Sequence, residues 1–286
     1  GHELTLEHLS FPIVSAFRDA GYDVVDDIGR PAAVIVVLPR DKARARDMVA
    51  RASAASDLVI VDGFKTDGVD SVFKAARKAL GDLPSLPKDH GRIFWMQGGD
   101  AFADWIVPAP APRDHGYVTT VGIFSADKVD AGSVMLANAL PAKLPARMAD
   151  LGAGWGYLAS PVLEKAGVKS LDLIEADRLA LACARLNVTD PRAVFHWADA
   201  TDFKPERGYD GIVMNPPFHQ GRAADPGLGR AFIAAAAKML APHGKLWMVA
   251  NRHLPYEATL RDHFRNVDEL AGNGAFKIFH ATRPTR

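Results

Sequence analysis

Residues 209–218, Tyr-Asp-Gly-Ile-Val-Met-Asn-Pro-Pro-Phe, end an apolar run on an amide, two prolines and an aromatic ring. The side-chain oxygen of Asn215 and the backbone carbonyl of Pro216 are two hydrogen-bond acceptors. Each proline fixes its own φ and restricts the residue before it to extended conformations, so these acceptors are held in place before a ligand arrives. Phe218 offers a face on which a planar ring can stack, worth about 1–3 kcal/mol for a nucleic-acid base. Such a set suits a planar amino group, whose lone pair is delocalised and whose hydrogens must be accepted while its nitrogen is held in line with an electrophile. Orientation alone can supply roughly 7–11 kcal/mol of a barrier. Neither a metal nor a covalent intermediate is required, and Asn215, Pro216, Pro217 and Phe218 are the catalytic candidates. The plainer reading is a Pro-Pro strand terminator followed by a core phenylalanine.

A second motif, Met-Ala-Asp-Leu-Gly-Ala-Gly-Trp-Gly-Tyr-Leu-Ala over residues 148–159, reads as a strand ending in Asp150, a turn built on Gly152, Gly154 and Gly156, and then a helix. Glycines there permit a tight turn and let the backbone approach a ligand closely. The spacing is G-x-G-x-G, not the G-x-G-x-x-G of dinucleotide-binding folds, which disfavours a nicotinamide oxidoreductase. Glu175 ends the next strand, 23 residues after Gly152, where a carboxylate can accept from both hydroxyls of a ribose. Asp199 follows the third strand, placed to accept from an adenine amino group, and Asn215 ends the fourth. Taken singly, each acidic residue reads equally as a helix cap or a solvated turn. Together they fall in chain order at the carboxyl ends of strands, where open α/β sheets bind ligands.

The elements that must position these residues form two sets. Strands are expected at 32–39, 57–63 and 91–97, with helices over 41–55 and 68–80, an alternation that implies a parallel sheet. Pro108-Ala-Pro-Ala-Pro112 is a linker signal, because alternating prolines favour an extended path. Beyond it strands are expected at 146–151, 169–176, 193–198, 209–215, 244–250 and 275–281, with helices over 158–166, 177–187 and 229–241. The fold class is α/β, two tandem Rossmann-like domains, 1–112 and 113–286, with the candidate site residues in the second. The first lacks a glycine-rich turn, since Leu38-Pro-Arg-Asp-Lys-Ala-Arg-Ala-Arg46 puts charge where such a turn would stand. Arg40, Lys42, Arg44 and Arg46 could dock a polyanion, although a solvated helix face accounts for them more simply.

The order Asp-Leu-Gly-Ala-Gly-Trp-Gly, Glu175, Asp199, Asn-Pro-Pro-Phe resembles that of class I S-adenosylmethionine-dependent methyltransferases. More narrowly it resembles the small-domain group that methylates exocyclic or planar amide nitrogens. Residues 122–141, Gly-Ile-Phe-Ser-Ala-Asp-Lys-Val-Asp-Ala-Gly-Ser onward, are similar to the segment preceding the glycine motif in bacterial 16S rRNA guanine-N2 methyltransferases, as is the layout of a first α/β domain before the catalytic one. The resemblance is specific over 122–250 and looser before it, and it implies that 1–112 is a degenerate methyltransferase-like domain for docking or support and 113–286 the catalytic one. It implies S-adenosylmethionine as cofactor, bound by Asp150, Gly152, Gly154, Gly156, Glu175 and Asp199, with Asp130 and Ser133 bordering its methionine end; a simple helix cap is the competing reading of that pair. It also implies transfer to the N2 of a guanine in small-subunit ribosomal RNA, on a base flipped out or already unpaired. Asn-Pro-Pro-Phe followed by His219 fits that group better than the Asp-Pro-Pro-Tyr of many adenine-N6 enzymes. The glycine-rich segment 219–230 then reads as a mobile lid, with His219, Arg222 and Arg230 toward the RNA, or as an ordinary solvated loop.

Composition sets the outer bounds. A 48% hydrophobic and 24% charged chain of 286 residues is globular, and runs such as Ala33–Leu38 and Ala231–Ala237 are too short to span a bilayer. The chain opens on Gly1-His2, as a trimmed start would, with no signal-peptide pattern. Net charge is zero; residues 1–112 carry 13 basic against 16 acidic residues, so a polyanion site is expected as a local patch in the second half. The lone Cys183 excludes an internal disulfide and fits a reducing cytoplasm as a buried core thiol. The expected partner is ribosomal RNA or the small ribosomal subunit, met by a monomer with no metal and no membrane. The rivals are the same chemistry on adenine-N6 or a protein glutamine, and a non-catalytic RNA-binding assembly factor with a vestigial cofactor site.

Overall fold

The computed structural model describes residues 3–217, 219–220, 223–224 and 226–285. It divides into two compact units. Unit 1 comprises Gly1–His8, Phe17–Ala109 and Thr120–Gly122; unit 2 comprises Leu9–Ala16, Pro110–Thr119 and Ile123–Arg286. The chain thus changes unit inside the proline-alternating stretch, while residues 9–16 belong with the second unit.

At the start, β1 (Thr5–Glu7) pairs in parallel with β2 (Asp23–Val25), and α1 (Phe11–Asp19) lies between them in sequence. The main sheet of unit 1 uses β3 (Val34–Val37), β4 (Leu58–Phe64), β5 (Ser85–Lys88) and β6 (Gly91–Gln97) in the order β3-β4-β6-β5. Helices α2 (Lys42–Ala55) and α3 (Val69–Leu80) complete it. Alternation along the strands sends Val36, Val59, Val61, Phe94 and Met96 into one core with Val49 of α2 and Val69 and Val72 of α3. Ile35, Val37 and Phe64 point the other way and are exposed.

The fully parallel sheet expected here is corrected by β6, which runs antiparallel to both β4 and β5. The cause is a two-residue hairpin turn: Asp89 and His90 both have positive φ, at 48° and 61°, the pattern of a type I′ connection. The turn uses Asp-His where Asn-Gly is usual, so β5 has no strong sequence signal. Two of the basic set at α2 are engaged within the unit. Arg40 lies 3.5 Å from Asp67, Arg46 sits over the Trp105 ring, and Arg44 also has a partner.

Unit 2 opens with a short antiparallel pair, β7 (Ala111–Pro112) with β8 (Val118–Thr119), then α4 (Ala131–Ala139). Its sheet contains β9 (Arg147–Leu151), β10 (Ser170–Glu175), β11 (Ala193–Trp197) and β12 (Tyr209–Met214), interleaved with α5 (Ala159–Leu163) and α6 (Arg178–Asn187). A further short pair, β13 (His219–Gln220) and β14 (Ala223–Ala224), precedes α7 (Pro226–Met239) and β15 (Leu240–Asn251). Helix α8 (Glu257–His263), β16 (Phe264–Gly272) and β17 (Phe276–Pro284) finish the chain. The order is β11-β10-β9-β12-β15-β17-β16. The first five strands pair in parallel, and β17 runs antiparallel to both its neighbours.

Both faces of this sheet are covered, as a parallel sheet requires. Ile212 and Met214 of β12 pack with Phe232 and Ile233 of α7 and Leu260 of α8. Val213, between them, faces the opposite layer with Leu136 of α4, Val162 of α5 and Ala184 of α6. Strand order reverses between β10-β9 and β9-β12, which creates a crevice at their carboxyl ends. Cys183 is fully buried, beside Trp155 and Ala180. Among the described residues no helix is long and apolar enough to cross a membrane.

Candidate functional site

A small cleft of about 50 Å³ lies at that crevice. It brings together Asp130, Ser133, Gly152, Gly154 and Asn215, five residues singled out by sequence. They come from the start of α4, the loop after β9 and the end of β12. A larger groove beside Trp247, His280 and Lys245 is a different place, since Lys245 is paired with Gly211 near the start of β12.

The glycine loop owes its path to left-handed backbone. Gly152, Gly154 and Gly156 have φ of 71°, 55° and 89°, conformations that side chains rarely adopt. Their roles separate on what a Cβ would meet. At Gly154 nothing lies within 4 Å. At Gly156 a Cβ would stand 2.9 Å from Val188 Cγ2 and 3.4 Å from Ala184 Cα. Gly156 therefore lets the loop close on α6 and is not a cleft residue. Gly152 would direct a Cβ toward Phe232, at 3.3 Å.

Glu175, at the end of β10, clamps this loop. Its Oε2 accepts from the Gly154 amide at 2.8 Å, and its Oε1 accepts from the Asp177 amide at 2.7 Å. Desolvation raises its pKa even so. Asp150 is wholly buried under the loop, and neither carboxylate oxygen has a hydrogen-bond partner. Burial, with Glu175 nearby, pushes its pKa up to about 8. Asp199 accepts from the Thr201 amide at 2.7 Å and the Thr201 hydroxyl at 2.6 Å through one oxygen, so half of its carboxylate holds its own turn. It does not line the cleft.

At the opposite side, the Asn215 Nδ2 donates to Asp130 Oδ2 at 2.9 Å and to Ser133 Oγ at 2.8 Å. Asp130 is also the N-cap of α4, accepting from the Ser133 amide at 2.8 Å. The cap and the site are thus one structure. Pro216 is buried and Pro217 exposed. Arg230 is exposed on α7. His219 begins β13, while Phe218 and Arg222 lie outside the described residues, so the stacking face and half of the basic pair are not placed.

Sequence reasoning missed the roof. Phe124, Ser125, Trp155, Tyr157 and Leu158 also line the cleft. The Trp155 indole donates to the Phe124 carbonyl at 3.1 Å, and its ring stacks on His115 at 5.5 Å and 8°. Asn187 donates to the carbonyls of Val118 and Trp155, at 2.8 and 2.9 Å, tying β8 to the glycine loop. The aromatic spacing His115, Tyr117, Trp155, Tyr157 was the available signal. Ser125, with φ of 53°, marks a strained turn at the cleft.

A seven-stranded sheet of this order, with a glycine loop, an acidic second-strand end and an Asn-Pro-Pro at the fourth, defines a methyltransferase fold. The chain belongs to the methyltransferase small domain family, whose model matches residues 115–280. It is 32% identical over 262 residues to the Ribosomal RNA small subunit methyltransferase C of Shewanella halifaxensis (strain HAW-EB4), covering 86% of this chain and 76% of that protein. The like-named protein of Hahella chejuensis (strain KCTC 2396) is 34% identical over 238 residues, 77% of this chain and 68% of the relative. Among solved structures, the T. thermophilus 16S rRNA N2 G1207 methyltransferase (RsmC) in complex with AdoMet and guanosine shares the fold across 98% of this chain and 82% of its own. Its TM-score is 0.83 and its sequence identity 24%.

Proposed function

We propose that this chain transfers a methyl group from S-adenosylmethionine to the exocyclic N2 of a guanine in small-subunit ribosomal RNA, in the cytoplasm. The observation that carries the reading is the Asn215 amide, oriented at the end of β12 beside the glycine loop. The names of the curated relatives support the RNA class, and the solved T. thermophilus enzyme, an N2 G1207 methyltransferase, supports the atom.

The residues present suit that cofactor. Gly154 leaves open space where a side chain would intrude, and Glu175 retains lone pairs for ribose hydroxyls beyond the two amides it holds. Asp199 keeps one carboxylate oxygen for an adenine amino group. When bound, the cofactor supplies an electrophilic methyl and keeps the electron pair of the broken carbon–sulfur bond as a thioether.

The chain's own work is positioning. Asn215 Oδ1 and the Pro216 carbonyl accept the amino hydrogens, which turns the nitrogen lone pair toward the cleft and directs the departing proton to solvent. The first unit serves as a docking or supporting domain in this reading, and His219, Arg222 and Arg230 are assigned to the RNA.

The test incubates labelled S-adenosylmethionine with unmodified small ribosomal subunits and naked RNA, followed by nucleoside digestion and mass spectrometry. N2-methylguanosine is expected. Label on adenosine, or on protein glutamine, would replace the substrate assignment.

A further inference from the structure

We propose that Asp130 and Ser133 are positioning residues for Asn215, and that the Asp130 charge is what requires an amide at position 215 in place of a carboxylate. The inference rests on the reading of Asn215 Oδ1 as the acceptor for the substrate amino group.

A carboxamide nitrogen carries two hydrogens, and its oxygen accepts. Both hydrogens of Asn215 are committed, one to Asp130 Oδ2 at 2.9 Å and one to Ser133 Oγ at 2.8 Å. Flipping the amide would set its oxygen against the Asp130 carboxylate. The flip is therefore disfavoured by charge and by the lost bond to Asp130, since of the two partners only the serine hydroxyl can also donate, and Oδ1 is left for the cleft.

Asp130 is itself immobilised. The same Oδ2 accepts the Ser133 amide at 2.8 Å as the N-cap of α4. Gly132, in that turn, is closely enclosed, because a Cβ would lie 3.0 Å from Asp130 Oδ2 and 3.0 Å from the Phe276 ring. Ser133 is buried. The helix cap is thus the fixed support, and the amide is the part it aims. A carboxylate at 215 would lie within hydrogen-bonding distance of another carboxylate, an arrangement that disfavours ionisation of both.

The experiment is a charge-exchange cycle of Asn215→Asp, Asp130→Asn and the double variant, with Ser133→Ala and Ser133→Thr beside it. Unfolding temperature, cofactor Kd and single-turnover methyl transfer are read for each. An asparagine at position 130 still caps the helix about as well as the aspartate. Asn215→Asp is expected to unfold several degrees below wild type, and the double variant to recover that loss. Transfer should fall about 100-fold in Asn215→Asp and recover about tenfold or more in the double variant, where the capping group at position 130 no longer carries a charge that opposes the carboxylate introduced at position 215. Ser133→Ala should lower kcat about tenfold with cofactor Kd unchanged, and Ser133→Thr should restore it.

Additive unfolding temperatures, with no recovery in the double variant, overturn the inference. So does a weakened cofactor Kd with unchanged kcat in Ser133→Ala, which would place the pair at the cofactor. If wild type transfers no methyl to guanine, the proposed function fails, and the unfolding temperatures still decide the Asp130–Asn215 coupling by themselves.

Discussion

Glu175 Oε2 accepts the Gly154 amide hydrogen at 2.8 Å across 21 residues of chain, so the end of β10 and the loop after β9 are held as one piece. The same carboxylate that is expected to receive a ribose also shapes the loop that approaches it. Glu175→Ala removes both functions. Bonds to a charged acceptor contribute about 1.5–3 kcal/mol each, so cofactor Kd should rise at least about tenfold. Calorimetric titration with S-adenosylmethionine checks this, with RNA affinity measured alongside and expected to change less. An unchanged cofactor Kd would remove Glu175 from the site.

The three glycines of the loop should respond differently to the same substitution. Gly156→Ala forces a Cβ to 2.9 Å from Val188 Cγ2 at a φ of 89°. Left-handed strain and overpacking together cost about 2–4 kcal/mol, a fall in unfolding temperature of roughly 5–10 °C. Gly154→Ala meets no atom within 4 Å, so only the left-handed strain of about 1–2 kcal/mol remains. Its methyl group enters the cleft, and cofactor affinity should fall more than stability does. Thermal melts of both variants, with and without cofactor, separate the packing glycine from the binding one. Equal behaviour of the two would refute the division.

Most of unit 2 was legible because its strands are short apolar runs bounded by glycine, proline and acidic residues. Asp150, Glu175 and Asn215 all stand at or next to the ends of strands, as their sequence positions imply. Strand β16 was not legible, since Phe264–Gly272 is an edge strand with mostly exposed residues and no alternating apolar pattern. Long-range placement was hidden for the same reason that it always is: spacing carries no information about it. Nothing in Leu9-Ser-Phe11 says that Leu9 accepts from the Arg178 amide, or that Phe11 meets Trp197 edge-on at 5.3 Å. The bond from Asn215 to Asp130 spans 85 residues and was likewise invisible, although each residue stands out in the sequence on its own.

Asp150 gives a prediction whose sign can be worked through. Its carboxyl is fully buried with no hydrogen-bond partner, and burial, with Glu175 adding, pushes its pKa from 3.8 up to about 8. The unfolded chain therefore releases this proton near pH 4, whereas the folded chain keeps it until about pH 8. Across that window the folded state binds more protons, so this group's contribution to stability falls as pH rises and levels off above the folded value. Asp150→Asn cannot ionise. Relative to wild type, the variant should gain stability steadily between pH 4 and pH 8 and no further beyond. Denaturant unfolding of both proteins at intervals of pH gives the difference directly, which cancels the titration of groups the two share. A difference that is flat over the window would mean that Asp150 is ionised in the fold, and a partner for its carboxylate would then have to be found.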